Sequence, residues 1–333
     1  MRAVSSLAVA LAAAFAVAAP GPGLAATAHF TSAWFLGDSL SDPGNLHEAT
    51  GGAIPESPPY YEGRRSNGPV WAEHVARDFE ERGLATGNVA HAFANAVTND
   101  DLPSGLPLQV PDLPEQVGRW QAQSAGRLGA RPLASLWFGA NDIFTTIAGS
   151  AGLSGAEAAA RVAGAAQAAA VSVDEGVRGM HALGVKDFVV FNLPALDQTP
   201  AFMLFQPEAQ SLAKVGTDVF NAALAAGLDG LGDAARVQTI DTDGLFAALM
   251  ADPQDFGLAS ATVPCIIPGV SVCSPGEADL LAFFDGVHPN QVVHALLADV
   301  VREHAAPVPV PLPGLMLVGG VVLLAGMRRR ARG

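Results

Sequence analysis

Three short segments, far apart along the chain, carry residue types suited to nucleophilic catalysis. Phe35-Leu36-Gly37-Asp38-Ser39-Leu40-Ser41-Asp42 ends an apolar run in Gly-Asp-Ser, Gly139-Ala140-Asn141-Asp142 follows a second apolar run, and Asp285-Gly286-Val287-His288 stands near the C-terminus. A serine hydroxyl is a weak nucleophile and needs a base to take its proton as it attacks. Histidine suits that task because its ordinary pKa lies near working pH, and a carboxylate can fix the imidazole tautomer and stabilise the imidazolium. Asp285 and His288 share one segment and can meet locally, with Phe283 and Phe284 shielding them from one side. Attack on an ester carbonyl creates an oxyanion, for which one preorganised donor is worth about 3–4 kcal/mol. The side-chain NH₂ of Asn141 and the backbone N–H of Ser39 are donor candidates. The expected roles are Ser39 as nucleophile, His288 as base, Asp285 as its orienting carboxylate and Asn141 as oxyanion donor.

These residues can meet only if strands deliver them to one rim of a sheet. Apolar runs bounded by turn residues alternate with longer helical patterns, which argues for βαβ units and a parallel sheet. The expected strands are Ala33–Leu36, Asn88–Phe93, Leu133–Phe138, Phe188–Asn192 and Val237–Ile240. The expected helices are Val70–Glu81, Glu115–Ala125, Ala156–Leu183, Gln206–Gly227 and Gln291–Glu303, the third opening on the capping-box spacing Ser154…Glu157. Ser39 and Asn141 then both follow strands, at the rim where open α/β sheets bind ligands. Gly51–Pro69, Asp101–Pro114 and Ser271–Leu280 read as loops, the first placed where it could line a cleft.

Both ends read as processing segments. Arg2, an Ala/Val/Leu-rich stretch and small residues around Ala25–Ala28 describe a secretory signal over residues 1–28. At the other end, Val308-Pro309-Val310-Pro311-Leu312-Pro313, an apolar run from Leu315 to Met327 and Arg328-Arg329-Arg330 suggest a sorting or anchor tail over 307–333, with the arginines on the cytoplasmic side. Its apolar run is shorter than the ~17–25 residues of a comfortable membrane span. Residues 29–306 then form one large α/β domain. The whole chain has 333 residues with 18 Lys+Arg and 32 Asp+Glu; five of the basic residues and none of the acidic ones lie in the two ends. The stretch between therefore carries 13 basic against 32 acidic residues, a net charge near −19. That argues against nucleic acid and against electrostatic docking to anionic lipid. Cys265 and Cys273 are the only two cysteines, and in an exported chain they are expected to form a disulfide stapling a surface excursion.

In these motifs the chain resembles the GDSL, or SGNH, hydrolases. Block I is Phe35 to Asn45, block III is Phe138-Gly139-Ala140-Asn141-Asp142 and block V is Asp285-Gly286-Val287-His288-Pro289, with Gly63-Arg64-Arg65-Ser66-Asn67-Gly68-Pro69-Val70-Trp71 matching a further family stretch. The resemblance spans residues 33–303 and implies a flavodoxin-like three-layer α/β/α fold with serine esterase or lipase chemistry and neither metal nor cofactor. Acyl transfer to an alcohol belongs to the same class; a non-catalytic surface or matrix protein on this scaffold is the rival from another class. Block II departs from the family's Asn-Phe-Ala-x-Gly-Gly-Ala, whose glycine N–H serves the oxyanion: here His91-Ala92-Phe93-Ala94-Asn95-Ala96-Val97-Thr98 puts Ala96 or Val97 at the donor position, and Ala96 completes the expected oxyanion hole with Ser39 and Asn141. The C-terminal tail resembles the VPLPA/PEP-CTERM sorting signals of Gram-negative bacteria. That implies transient membrane association, a sorting protease as partner and an exported, surface or extracellular location, with a small-molecule or lipid ester as substrate.

Other polar residues have plainer readings. Asp38 and Asp42 are expected to hold the turn around Ser39 rather than a metal. His47, His74, His91, His181 and His294 read as structural histidines, the last on a helix face. Arg64 and Arg65 read as solvated, or hydrogen-bonded within their loop, with substrate contact as the alternative. No Gly-x-Ser-x-Gly elbow occurs, which argues against an α/β-hydrolase lipase.

Overall fold

The structure, a computed structural model, describes residues 29–99 and 108–305. The expected secretory signal and sorting tail lie outside the described residues, as does part of the Asp101–Pro114 loop. Among the described residues no helix is long and apolar enough to cross a membrane.

Five strands form one parallel sheet: β1 (Ser32–Gly37), β2 (Ala85–Asn88), β3 (Pro132–Trp137), β4 (Asp187–Phe191) and β5 (Arg236–Ile240), in the order β2-β1-β3-β4-β5. β1, β3 and β4 are buried along their whole length, as their continuous apolar runs require for a sheet covered on both faces. The main helices are α1 (Asn45–Ala49), α2 (Trp71–Glu80), α3 (Leu113–Ser124), α4 (Ala140–Ala148), α5 (Gly155–Ala182), α6 (Gln210–Asp229) and α7 (Thr242–Ala251), followed by the short α8 (Pro275–Ala278) and α9 (Gln291–Ala305). α2 packs against α9, while α4, α5 and α6 pack together, giving the expected three-layer α/β/α arrangement. Trp137 on β3 stacks on Phe191 of β4 with centroids 4.3 Å apart, and Trp71 of α2 covers the pair at 4.6 Å from Phe191. The capping box at Ser154 and Glu157 starts α5 as its spacing indicates.

The second strand differs from expectation. The run Asn88–Phe93 is largely buried, but β2 is the preceding, half-buried Ala85–Asn88. An edge strand buries less than its neighbours, so Ala-Thr-Gly-Asn shows no apolar run. Gly87 lies against the Trp34 ring, where a Cβ would come within 2.4 Å of it. The chain keeps running beside β1 as far as His91, with the Val89 and His91 N–H groups donating to the Phe35 and Gly37 carbonyls at 2.9 and 3.1 Å, and turns at Phe93, which has φ 71°. α1, α4 and α7 are not among the expected helices; each is short and follows closely on a motif or a strand. Cys265 and Cys273 form the expected disulfide across a small hairpin, β6 (Ile266–Ile267) with β7 (Ser271–Val272).

Strand order reverses between β1 and β3, and the crevice beyond their C-terminal ends is where such sheets take ligands. Ser39 leaves β1 there and Asn141 leaves β3 there.

Candidate active site

The end of β1 is clamped so that the Ser39 turn has little freedom. Gly37 exchanges two hydrogen bonds with the buried Gln116 amide of α3, each 2.9 Å long, and the Asp38 N–H donates to the Trp137 carbonyl at 3.2 Å. A side chain at Gly37 would collide with Ser41, since a Cβ there lies 2.8 Å from its Oγ. Asp38 accepts from the Leu40 N–H, and Asp42 accepts from the backbone N–H groups of Gly44, Asn45, Leu46 and Ala92. Both aspartates therefore hold the turn, as the sequence suggested. Burial pushes the Asp38 carboxyl up to about 7 despite its backbone hydrogen bond.

Block V arrives from the opposite side. His288 Nε2 lies 2.8 Å from Ser39 Oγ, and His288 Nδ1 lies 2.7 Å from Asp285 Oδ2. Asp285 also accepts from the backbone N–H groups of Val287 and His288, at 3.0 and 2.8 Å. Burial by itself would raise this carboxyl, but the charge of His288 and these hydrogen bonds prevail and hold it well below the usual carboxylate range. A carboxylate that stays ionised beside Nδ1 leaves Nε2 free to face the hydroxyl.

A fourth residue completes this set. The Tyr60 hydroxyl donates to Asp285 Oδ2 at 2.7 Å, and its ring meets Phe284 edge-on at 5.4 Å. Tyr60 and Phe284 pack with Cys265, Cys273, Ala278 and Leu281, so the disulfide hairpin supports the carboxylate from beneath. The sequence signals nothing about Tyr60, which lies 225 residues from its partner.

The stretch Gly63–Trp71 ties the two halves together. Ser66 Oγ donates to the Pro289 carbonyl, Asn67 accepts from the Gln291 N–H, and Trp71 donates from Nε1 to Ser41 Oγ and from its backbone to His294 Nδ1. His294 is fully buried, not on an open helix face, and burial lowers its pKa to about 3, so it stays a neutral acceptor.

A cavity of about 160 Å³ opens over Ser39 and His288, with Asn141, Arg65, Phe93, Phe144, Leu193 and Phe246 among its walls. Asn141 is brought to this cavity as expected, one of its N–H donors anchored on the Ala94 carbonyl at 2.9 Å. An amide NH₂ has a second donor. Gly139 permits this placement: it has φ 114°, and a Cβ would lie 2.3 Å from the Phe220 ring.

Ala96 is the correction. Its N–H donates to Asp142 Oδ2 at 2.8 Å, the neighbouring Val97 N–H donates to Asp142 Oδ1 at 3.0 Å, and neither residue lines the cavity. Burial pushes Asp142 up to about 7 despite these two donors. The block II residues on the cavity wall are Ala92 and Phe93: the Ala92 N–H is taken by Asp42, whereas Phe93, whose φ of 71° turns the backbone there, has an N–H with no partner among the described residues. A left-handed position usually announces itself by glycine; a phenylalanine hides that signal.

A model of the GDSL-like Lipase/Acylhydrolase family matches residues 34–301. Phosphatidylcholine-sterol acyltransferase of Aeromonas hydrophila is 32% identical over 317 residues, covering 81% of this chain and 88% of its own. Thermolabile hemolysin of Vibrio parahaemolyticus is 24% identical over 287 residues, covering 80% of this chain and 62% of its own. Among solved structures, an acetylxylan esterase from Geobacillus stearothermophilus superposes with a TM-score of 0.40 at 14% identity, over 83% of this chain and 94% of its own.

Proposed function

The chain belongs to the GDSL-like lipase/acylhydrolase family, and we propose that it is an exported serine hydrolase cleaving carboxylic esters through an acyl-enzyme. Ser39 Oγ attacks the carbonyl carbon while His288 Nε2 takes its proton; Asp285 holds the imidazole by Nδ1 and stabilises the imidazolium. The oxyanion is received by the second Asn141 N–H and the backbone N–H groups of Ser39 and Phe93. His288 returns the proton to the leaving alcohol, and water repeats the sequence on the acyl-enzyme. The observation that carries this reading is the unbroken chain Ser39–His288–Asp285 with contacts of 2.8 and 2.7 Å.

Acyl transfer to an alcohol in place of water is the second reading, favoured by the 32%-identical acyltransferase. Product analysis with a long-chain alcohol present separates the two, since transfer gives a new ester and hydrolysis gives only free acid. Export rests on residues 1–28, and the tail 307–333 is proposed as a sorting signal cut by a membrane protease. Intact mass of the mature form tests both: a mass that retains either end sinks that part of the proposal.

A fluorophosphonate probe with peptide mapping tests the chemistry. A single adduct on Ser39 in the native chain, lost in Ser39→Ala together with turnover of a short-chain aryl ester, is the expected result. Turnover that persists in a folded Ser39→Ala chain refutes the assignment, and no adduct at all in the native chain favours a non-catalytic scaffold.

A further inference from the structure

Two adjacent arginines in the Gly63–Trp71 stretch have opposite surroundings. Arg64 is neutralised, its Nε and Nη2 forked on the Glu73 carboxylate at 3.2 and 2.5 Å with Glu62 beside it. Arg65 has no carboxylate partner among the described residues. Its guanidinium lies 4.9 Å from the Phe93 ring centroid and 5.5 Å from that of Tyr60, and it forms part of the cavity wall with Ser39, His288 and Asn141. Both rings are fixed: Tyr60 by its hydroxyl on Asp285, Phe93 by the block II bend. The guanidinium also meets the Tyr60 hydroxyl, and with five N–H donors in its fork it keeps others for a planar or tetrahedral anion. The nearby carboxylate of Asp285 is already taken up by Tyr60, His288 and two backbone N–H groups. Most of the remaining wall is apolar, with Leu40, Phe144, Leu193, Leu196 and Phe246. An arginine on the wall of a cavity that is apolar away from Ser39, His288 and Asn141 fits an ester that carries an apolar part and one negative group.

We propose that Arg65 is a substrate-binding residue that receives an anionic group, a phosphate or a carboxylate, attached a few bonds from the scissile ester. This rests on the ester-hydrolase reading and narrows its substrate class. The test uses two matched pairs of esters: dibutyrylglycerol phosphate against dibutyrylglycerol, and 4-nitrophenyl hemisuccinate against 4-nitrophenyl valerate. In Arg65→Met the ratio of kcat/KM for the anionic over the neutral member should fall by roughly tenfold or more in one pair, through KM, with Arg65→Lys between the two. The pair that moves identifies phosphate or carboxylate. Equal loss on both members, leaving both ratios unchanged, overturns the proposal and makes Arg65 a support for Tyr60. Ligand-observed NMR with glycerol 3-phosphate and succinate supplies a readout free of turnover: binding by the native chain that weakens in folded Arg65→Met supports the site, and no binding of either by the native chain overturns it. Turnover of the two neutral esters by the native chain reports the hydrolase reading separately.

Discussion

The two halves of the site are built by different means. The Ser39 half is an extension of the sheet: β1 sits between β2 and β3, Gln116 pins its last residue, and Asp42 collects four N–H groups of the turns that follow. The His288 half has no strand of the main sheet beneath it. Asp285 is held by a tyrosine from a distant loop, by two N–H groups of its own turn and by a hairpin closed with a disulfide. A buried parallel sheet fixes position through register, so its rim is set once the fold forms. A loop must instead be fixed contact by contact, and each contact is a separate point at which the geometry can be loosened.

That contrast can be broken most sharply at Asp285. Asp285→Asn keeps the shape but gives His288 the wrong tautomer, and kcat for a short-chain ester should fall by roughly 10³–10⁴ with little change in melting temperature. A loss under about tenfold would mean that His288 is oriented by other groups. Tyr60→Phe is milder: it removes one hydrogen bond to the carboxylate, and kcat should fall by roughly tenfold with KM nearly constant. An unchanged kcat in folded Tyr60→Phe would reduce Tyr60 to packing. Replacing Cys265 and Cys273 together by serine opens a short loop and should cost roughly 2–3 kcal/mol, read as a fall in melting temperature of about 5 °C. If the hairpin supports Tyr60, kcat should fall a few-fold as well; stability lost with activity intact would separate the hairpin from the site.

The sheet half offers an effect on stability rather than on rate. Asp142 keeps its proton to about 7 in the fold, whereas in an unfolded chain it loses it near 4. The native state therefore binds the extra proton between those values, and the stability this contributes is full below about pH 4 and is lost as pH rises through about 7. The urea midpoint should fall from pH 5 to pH 8, and fall less in Asp142→Asn. Equal slopes in the two chains would show that Asp142 is ionised throughout, leaving the other carboxyls raised by burial, Asp38, Asp42, Asp112 and Asp243, as the sources.

Much of the sheet half is legible in the order of residues along the chain. Continuous apolar runs ending in Gly-Asp-Ser and Gly-Ala-Asn mark β1, β3 and the residues they deliver, because strand burial and a turn at the rim both leave local signatures. The pairing of Asp285 with His288 is legible for the same reason, lying within one short segment. Tyr60, Gln116 and the pairing of Trp71 with Ser41 are not, since each depends on segments 30 or more residues apart. Ala96 failed as a donor because counting along a motif cannot say which N–H groups a buried carboxylate will claim.

The amino-acid order alone settled the parallel α/β class, the disulfide and the pairing of Asp285 with His288, since local patterning and covalent proximity carry that information; that Ser39 joins them was implied by the family resemblance and is seen only in the folded chain. Tertiary structure alone decided which block II N–H groups the buried carboxylates claim, which of two neighbouring arginines is neutralised, and what stands behind the Asp285 carboxylate. Those are outcomes of competition among groups that approach one another only when the chain is packed, and no local pattern ranks the competitors.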